Sequence, residues 1–244
     1  MKIIALLSAK GGVGKTTTAV NLAALCARAG KATLLIDLDP QGASGHLLRI
    51  RPAEGLKAKR FWSGKADTDE LIRASDVEGL DVLPAADSLR RAEAVLEDLD
   101  HPRRRLVGIV GDLTGWERVV FDCPPGLGLL SENVLRAADL VLVPVAPSPL
   151  ALRTLAPLAA LAGKDAVKLR PFVSMARGDK AVVAELRASW PNTLVAAIPV
   201  AEVVEESAVA RSSVALHAPR ARVAQAYRRL HAEVEVILAG QDAA

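Results

Sequence analysis

The chain has 244 residues, 51% hydrophobic and 24% charged, which suits one α/β domain with a substantial core. No apolar run approaches the roughly 18 residues of a membrane-spanning helix, and the chain opens on a strand pattern rather than a secretory leader. Cys26 and Cys123 lie far apart and His46, His101, His217 and His231 are scattered, so no disulfide framework, zinc site or iron–sulfur site is expected, and a reducing cytoplasm fits.

The first predicted strand, over 2–8, runs straight into Ser8-Ala9-Lys10-Gly11-Gly12-Val13-Gly14-Lys15-Thr16-Thr17 and a helix over 16–29. Strand, glycine loop and Lys-Thr-Thr helix start make a phosphate cradle. Free N–H groups of Gly11, Gly12, Val13 and Gly14 and the helix dipole favour an anion there. Lys15 would reach the β/γ-phosphates of a nucleotide, and the Thr16 hydroxyl would ligate Mg²⁺, with Thr17 beside it. The loop departs from the general pattern G-x-x-x-x-G-K-[ST] at its first glycine, which is Ala9, and the next residue is a second lysine, Lys10.

A second strand over 32–37 ends in Asp37-Leu38-Asp39-Pro40-Gln41-Gly42. In extended backbone Asp37 and Asp39 share one face, where they could organise Mg²⁺ and the attacking water. The segment 43–69 holds Pro52, Gly55, Gly64 and six lysines and arginines, and reads as an exposed connection or a partner-contacting flap. A strand over 79–84 and a helix over 88–99 follow. The next strand, over 118–122, ends in Asp122-Cys123-Pro124-Pro125-Gly126, the expected second carboxylate of a phosphate-loop nucleotidase and a stiff loop behind it. Cys123 reads as a small buried residue.

Helices are predicted over 129–137, 149–162, 180–189 and 220–238, and strands over 140–145, 170–174 and 194–199. The last helix carries Val223, Tyr227, Leu230, Val234 and Ile237 on one stripe. His231 and Glu235 share a helical face that is expected to be surface. Most strands are apolar on both faces, so the reading is a doubly wound, mostly parallel α/β sheet with helices on both sides. One domain over 1–244 is expected, without a separate N-terminal DNA-binding domain.

Taken together, Lys10–Leu22, Asp37–Gly42 and Asp122–Gly128 resemble the deviant phosphate loop and following motifs of the ParA/MinD ATPases. The likeness continues through Ala137-Ala138-Asp139, Val143-Pro144-Val145, Pro147-Ser148-Pro149, Ile198-Pro199 and Ala224–Tyr227, and is weakest over 43–112. It implies a slow, partner-stimulated ATPase that uses ATP and Mg²⁺ and forms an ATP-sandwich homodimer. Lys10 would cross to the partner subunit's ATP. Lys15 and Asp39 would be catalytic, Asp39 positioning the attacking water. Asp37 and Asp122 would hold the Mg²⁺ environment, directly or through water. Adenine would lie against 174–177 and 199–203, with Ser174 and Pro199 as contacts.

The ParA branch further implies non-specific binding of double-stranded DNA by the dimer, a nucleoid-associated cytoplasmic location, and a centromere-binding ParB-like partner or cargo adaptor. Net charge is +3 and pI about 9.0. Aromatic residues make up 3%, which disfavours base-stacking platforms and leaves duplex phosphates as the target. Candidate contacts are Arg211, Arg220 and Arg222, with Arg177 and Lys180 behind them. The alternative is a MinD-like membrane- or pole-associated ATPase. The ending Ile237–Ala244 lacks the basic amphipathic helix that this needs, so no membrane contact is expected. A metal-cluster-handling relative would need a Cys-x-x-Cys pair, which the sequence lacks.

Overall fold

The computed structural model describes residues 1–178 and 180–242. Strand β1 (Lys2–Leu6) leads through the glycine loop into α1 (Lys15–Arg28), and β2 (Thr33–Asp37) follows. Helices α2 (Ala43–Leu47) and α3 (Ala58–Trp62) precede β3 (Arg73–Ala74) and β4 (Leu80–Leu83). A 3-10 turn over Asp87–Arg91 enters α4 (Ala92–Glu97). Next come α5 (Arg105–Gly111), β5 (Arg118–Asp122), α6 (Leu129–Ala137) and β6 (Leu140–Val145). Then follow α7 (Pro149–Leu152), α8 (Leu155–Ala162), β7 (Leu169–Ala176), α9 (Lys180–Ser189) and β8 (Ala197–Pro199). Helices α10 (Glu202–Val209), α11 (Val214–His217) and α12 (Arg222–Asp242) come last.

Among the described residues the strands form one eight-stranded sheet in the order β3-β4-β2-β5-β1-β6-β7-β8, parallel except for the β3–β4 pair. This is the expected doubly wound sheet. Strand order reverses at β1, between β5 and β6, and ligands of such sheets bind outside the carboxyl ends of the strands at that point. Register places Leu6, Asp122 and Asp37 level with one another on three adjacent strands.

Alternation along the strands separates two cores. Ile3, Ala5, Leu34, Ile36, Val119 and Phe121 face α3 to α6 and α8. Ile4, Leu6, Leu35, Val120, Leu140 and Leu142 face α1 and α12. Both faces are dry, which is why these strands read as unbroken apolar runs. Helix α1 stops where Gly30 turns left-handed (φ 82°). The Gly30 amide then donates to the Ala27 carbonyl at 2.9 Å and the Lys31 amide to that of Cys26 at 3.1 Å, a Schellman closure.

Several elements differ from expectation. Segment 43–69 is not an exposed connection: Phe61 and Trp62 are fully buried, with ring centroids 5.0 Å apart edge to face, against α4 and α5. Two aromatic anchors outweigh the basic residues around them, because each removes a large apolar area from water. The strand expected over 194–199 is shortened to β8. The Val195 and Ala196 amides both donate to the Glu233 carboxylate at 2.7 Å and so are lost to the sheet ladder. The single helix expected over 149–162 divides into α7 and α8, and α5 and β3 went unforeseen. The last helix starts two residues later and ends four later than expected, and its stripe closes on buried Leu238, with Ile237 only half-buried.

Candidate nucleotide-binding site

The loop between β1 and α1 turns on Gly12 (φ 70°) and Gly14 (φ 85°). Gly14 has a second constraint, since a Cβ there would stand 3.1 Å from the Ser174 hydroxyl. Lys15, the first residue of α1, is buried, and its ammonium donates to the Lys10 carbonyl at 3.1 Å. Burial pulls its pKa down, against the opposing pull of Asp122, Cys123 and Asp39. The Lys10 side chain is exposed, one residue before Gly11 of the cleft lining. Thr16 and Thr17 are half-buried and line the cleft.

Asp37 and Asp39 do not share one open face, because β2 stops at Asp37 and Asp39 sits in a turn. Asp37 is buried, and its carboxylate accepts the Asp39 amide at 3.1 Å and the Gly45 amide at 3.4 Å. Burial, with Asp122 beside it, holds its pKa well above the ordinary value. Asp39 is half-buried, lines the cleft and accepts the Gln41 amide at 2.9 Å.

Asp122 is fully buried at the end of β5. Its Oδ2 accepts the Ser44 hydroxyl at 2.6 Å, and its Oδ1 has no hydrogen-bond partner among the described residues. Burial pushes its pKa up to about 6, opposed by the hydroxyls of Ser44 and Thr16. Ser44 is a site residue that the motifs did not reveal; the only sequence signal is a hydroxyl two positions after Gly42. Cys123 is buried, and its thiol is pushed well up by the same desolvation.

Lys15, Thr16, Thr17 and Asp39 border a cleft of about 710 Å³, within the range of small-molecule sites, whereas Asp37, Ser44, Asp122 and Cys123 are buried and do not line it. Its phosphate-loop end carries Gly11, Gly12, Gly14, Lys15, Thr16 and Thr17. Its far wall is Met175, Ile198, Pro199, Val200 and Ala201, with Val204, Glu205 and Tyr227 added beyond expectation. Ser174 borders the cleft, but its hydroxyl donates to the Val13 carbonyl at 2.8 Å, so it braces the loop. The cleft itself offers the Thr16 hydroxyl and the Asp39 carboxylate at its loop end, and Asp122, off the lining, adds a buried Oδ1 that is unpartnered among the described residues. That set fits a hard divalent cation such as Mg²⁺.

The basic candidates lie elsewhere. Arg220 and Arg222 are exposed at the start of α12, and Arg177 and Lys180 are exposed after β7. Arg211 is half-buried, and its Nε donates to the His46 carbonyl at 2.9 Å. His231 and Glu235 are half-buried beside Cys26 rather than on the surface, with the possible ligand atoms of all three within 4.8 Å of one another. Both carboxylate oxygens of Glu235 are taken by Arg118, at 3.0 and 2.7 Å.

The chain matches the AAA domain family over residues 1–171. It is 36% identical to the chromosome-partitioning ATPase Soj of Thermus thermophilus, over 95% of this chain and 94% of that protein. The chain belongs to the ParA-type partition ATPase family. Another member, the sporulation initiation inhibitor protein Soj of Bacillus subtilis, is 42% identical over 146 residues. That match spans 59% of this chain and 58% of the relative, little more than half of its length. The fold agrees with the septum site-determining protein MinD of Pyrococcus horikoshii, a structure complexed with Mg-ADP. Its TM-score is 0.81 at 21% identity, over 97% of each chain. No helix among the described residues is long and apolar enough to cross a membrane.

Proposed function

We propose that this family member is a dimerising positioning ATPase whose ATP-bound pair holds double-stranded DNA non-specifically, and whose slow hydrolysis is stimulated by a ParB-like partner or cargo adaptor. The observation that carries the reading is the pair of loop lysines. Lys15 is buried with its ammonium on the Lys10 carbonyl, while the Lys10 side chain is exposed, one residue before Gly11 of the cleft lining.

A neutral carbonyl is a weaker acceptor than a phosphate oxygen. An arriving triphosphate would therefore take the Lys15 ammonium from the Lys10 carbonyl. The exposed Lys10 is then the cation available to a second subunit's phosphates, which makes dimerisation depend on the triphosphate. Thr16, Asp39 and Asp122 would hold Mg²⁺, with Asp37 supporting them from behind. When bound, the ion neutralises charge on the phosphates. Asp39 borders the cleft and can accept a hydrogen bond from the attacking water. Pro199 and its neighbours supply an apolar wall for a base. The dimer would double the contacts of Arg220 and Arg222, steepening the salt dependence of DNA binding and giving nucleoid association.

The test is binding of random-sequence duplex DNA to the protein with ATP, with ADP and without nucleotide, across a salt series. Salt-sensitive binding with ATP alone supports the reading. Binding to liposomes and not to DNA would replace it with a membrane-positioning role.

A further inference from the structure

Outside the nucleotide cleft, a smaller pocket of about 160 Å³ lies where the segment after α2 meets the turn before α11. Arg49 and Arg211 line it, together with Asp76, Ser212 and Ser213 and an apolar floor of Leu48, Val77 and Leu216. Three observations single it out.

First, both arginines adopt left-handed backbone, Arg49 at φ 61° and Arg211 at φ 51°. The described chain has two other non-glycine residues with positive φ, His101 and Met175. Such conformations are costly without a glycine and collect at ligand clamps. Second, the charges do not cancel. Arg49 pairs with Asp76 at 3.2 Å and also donates to the Ala210 carbonyl at 3.0 Å. Arg211 spends only its Nε, on the His46 carbonyl at 2.9 Å, and has no carboxylate partner among the described residues. Third, Ser213 is buried, and its hydroxyl has no hydrogen-bond partner among the described residues. A buried hydroxyl is seldom left unpaired, and a bound acceptor would satisfy it.

We propose that this pocket binds one phosphate-type oxyanion, held by the Arg211 guanidinium and the Ser213 hydroxyl with Arg49 as the second cation. The guanidinium offers planar, charge-assisted donors, and the hydroxyl offers one more donor. The pocket is large enough for one tetrahedral anion and too small for a nucleotide. The anion could be a nucleic-acid backbone phosphate or free phosphate. The pocket itself does not depend on the function proposed above.

The experiment is a titration with inorganic phosphate at constant ionic strength, read by melting temperature. The phosphate loop is kept filled with Mg-ADP, and a Lys15→Ala variant is run in parallel. Wild type should show a saturable rise. Ser213→Ala and Arg211→Gln should each weaken the apparent affinity at least tenfold. Without phosphate, Ser213→Ala should melt no lower than wild type, because its hydroxyl makes no hydrogen bond among the described residues. Should Arg211→Gln unfold for want of the His46 contact, Ser213→Ala decides alone. Unchanged phosphate affinity in Ser213→Ala, or no saturable rise in wild type, overturns the site.

A second arm measures duplex DNA binding with ATP. If phosphate competes with DNA and Ser213→Ala weakens DNA binding, the pocket takes backbone phosphate. If DNA binding is unaffected while phosphate affinity is lost, it takes free phosphate. Absence of DNA binding in wild type would overturn the proposed function and leave the phosphate titration to decide the pocket.

Discussion

The Ser44 hydroxyl donates to Oδ2 of Asp122 at 2.6 Å, joining two fully buried side chains 78 positions apart in sequence. Ser44 comes from α2, which follows the Asp37–Gly42 motif, and Asp122 ends β5. The contact fixes the carboxylate of the candidate cation site from a helix that touches no part of the cleft itself.

Ser44→Ala removes the hydrogen bond that Oδ2 of Asp122 accepts. It should destabilise the fold by about 1–3 kcal/mol, the cost of an unsatisfied buried acceptor. The loss should be larger at pH 8 than at pH 5, since the Asp122 pKa near 6 places its ionised form above that point. Urea denaturation at the two pH values reads both effects; equal losses would sink the carboxylate argument.

The two buried carboxyls also set a pH dependence. Asp122 is raised from 3.8 to about 6, and Asp37 is raised well above 3.8. A raised acid binds its proton more tightly in the folded state. Stability is then fully present below about pH 4 and falls as pH rises through about 6, with Asp37 extending the fall. His231, lowered by burial, acts in the opposite sense. The informative quantity is therefore the difference between wild type and Asp37→Asn. Urea midpoints from pH 4.5 to 7.5 should fall more steeply in wild type.

The loop lysines and Asp39 divide the proposed reaction. Lys15→Ala should abolish ATP binding, read with a fluorescent nucleotide. Asp39→Ala should keep the ATP-dependent dimer by light scattering and release no phosphate. Lys10→Ala should bind nucleotide and stay monomeric. A Lys10→Ala protein that dimerises and turns over normally would remove the cross-subunit role.

Glu93 on α4 caps α6, accepting the Leu129 amide at 2.8 Å and the Leu130 amide at 3.2 Å. Gly128 permits this, since a Cβ there would stand 2.5 Å from the Glu93 carboxylate. Glu93→Ala should cost about 0.5–2 kcal/mol, the range for losing a helix N-cap. Gly128→Ala should cost a similar amount by expelling the carboxylate, and the double variant should show little further loss. Additive losses in urea denaturation would mean the two act separately.

Trp62→Ala tests whether 43–69 belongs to the core. Its fully buried ring predicts a loss of about 3–5 kcal/mol. A solvated flap would lose almost nothing, and the urea midpoint separates the two.

Much of this was legible in the chain. The phosphate loop, the aspartates closing β2 and β5 and the alternation of strand and helix are local patterns, set by backbone sterics and by apolar periodicity. The distinct fates of Asp37 and Asp39 were not legible, because strand β2 ends between them and a turn redirects the second carboxylate. Nor was Ser174, whose hydroxyl braces Val13 from a strand 161 positions away. The burial of Phe61 and Trp62 was hidden by the basic residues flanking them, which set local composition without setting what the aromatics pack against.

By itself the sequence determined a doubly wound sheet, a nucleotide loop with two lysines and membership of a partition ATPase family. These follow from contiguous residues whose hydrogen-bonding and steric preferences act within a few positions. Tertiary structure alone decided which carboxylate is buried, which hydroxyl holds it and where Arg211 sits. Those outcomes depend on desolvation, and desolvation is fixed only when distant segments close over one another. The second lysine of the loop shows the division: sequence placed Lys10 in the glycine loop, and packing gave its carbonyl to Lys15 while leaving its side chain exposed.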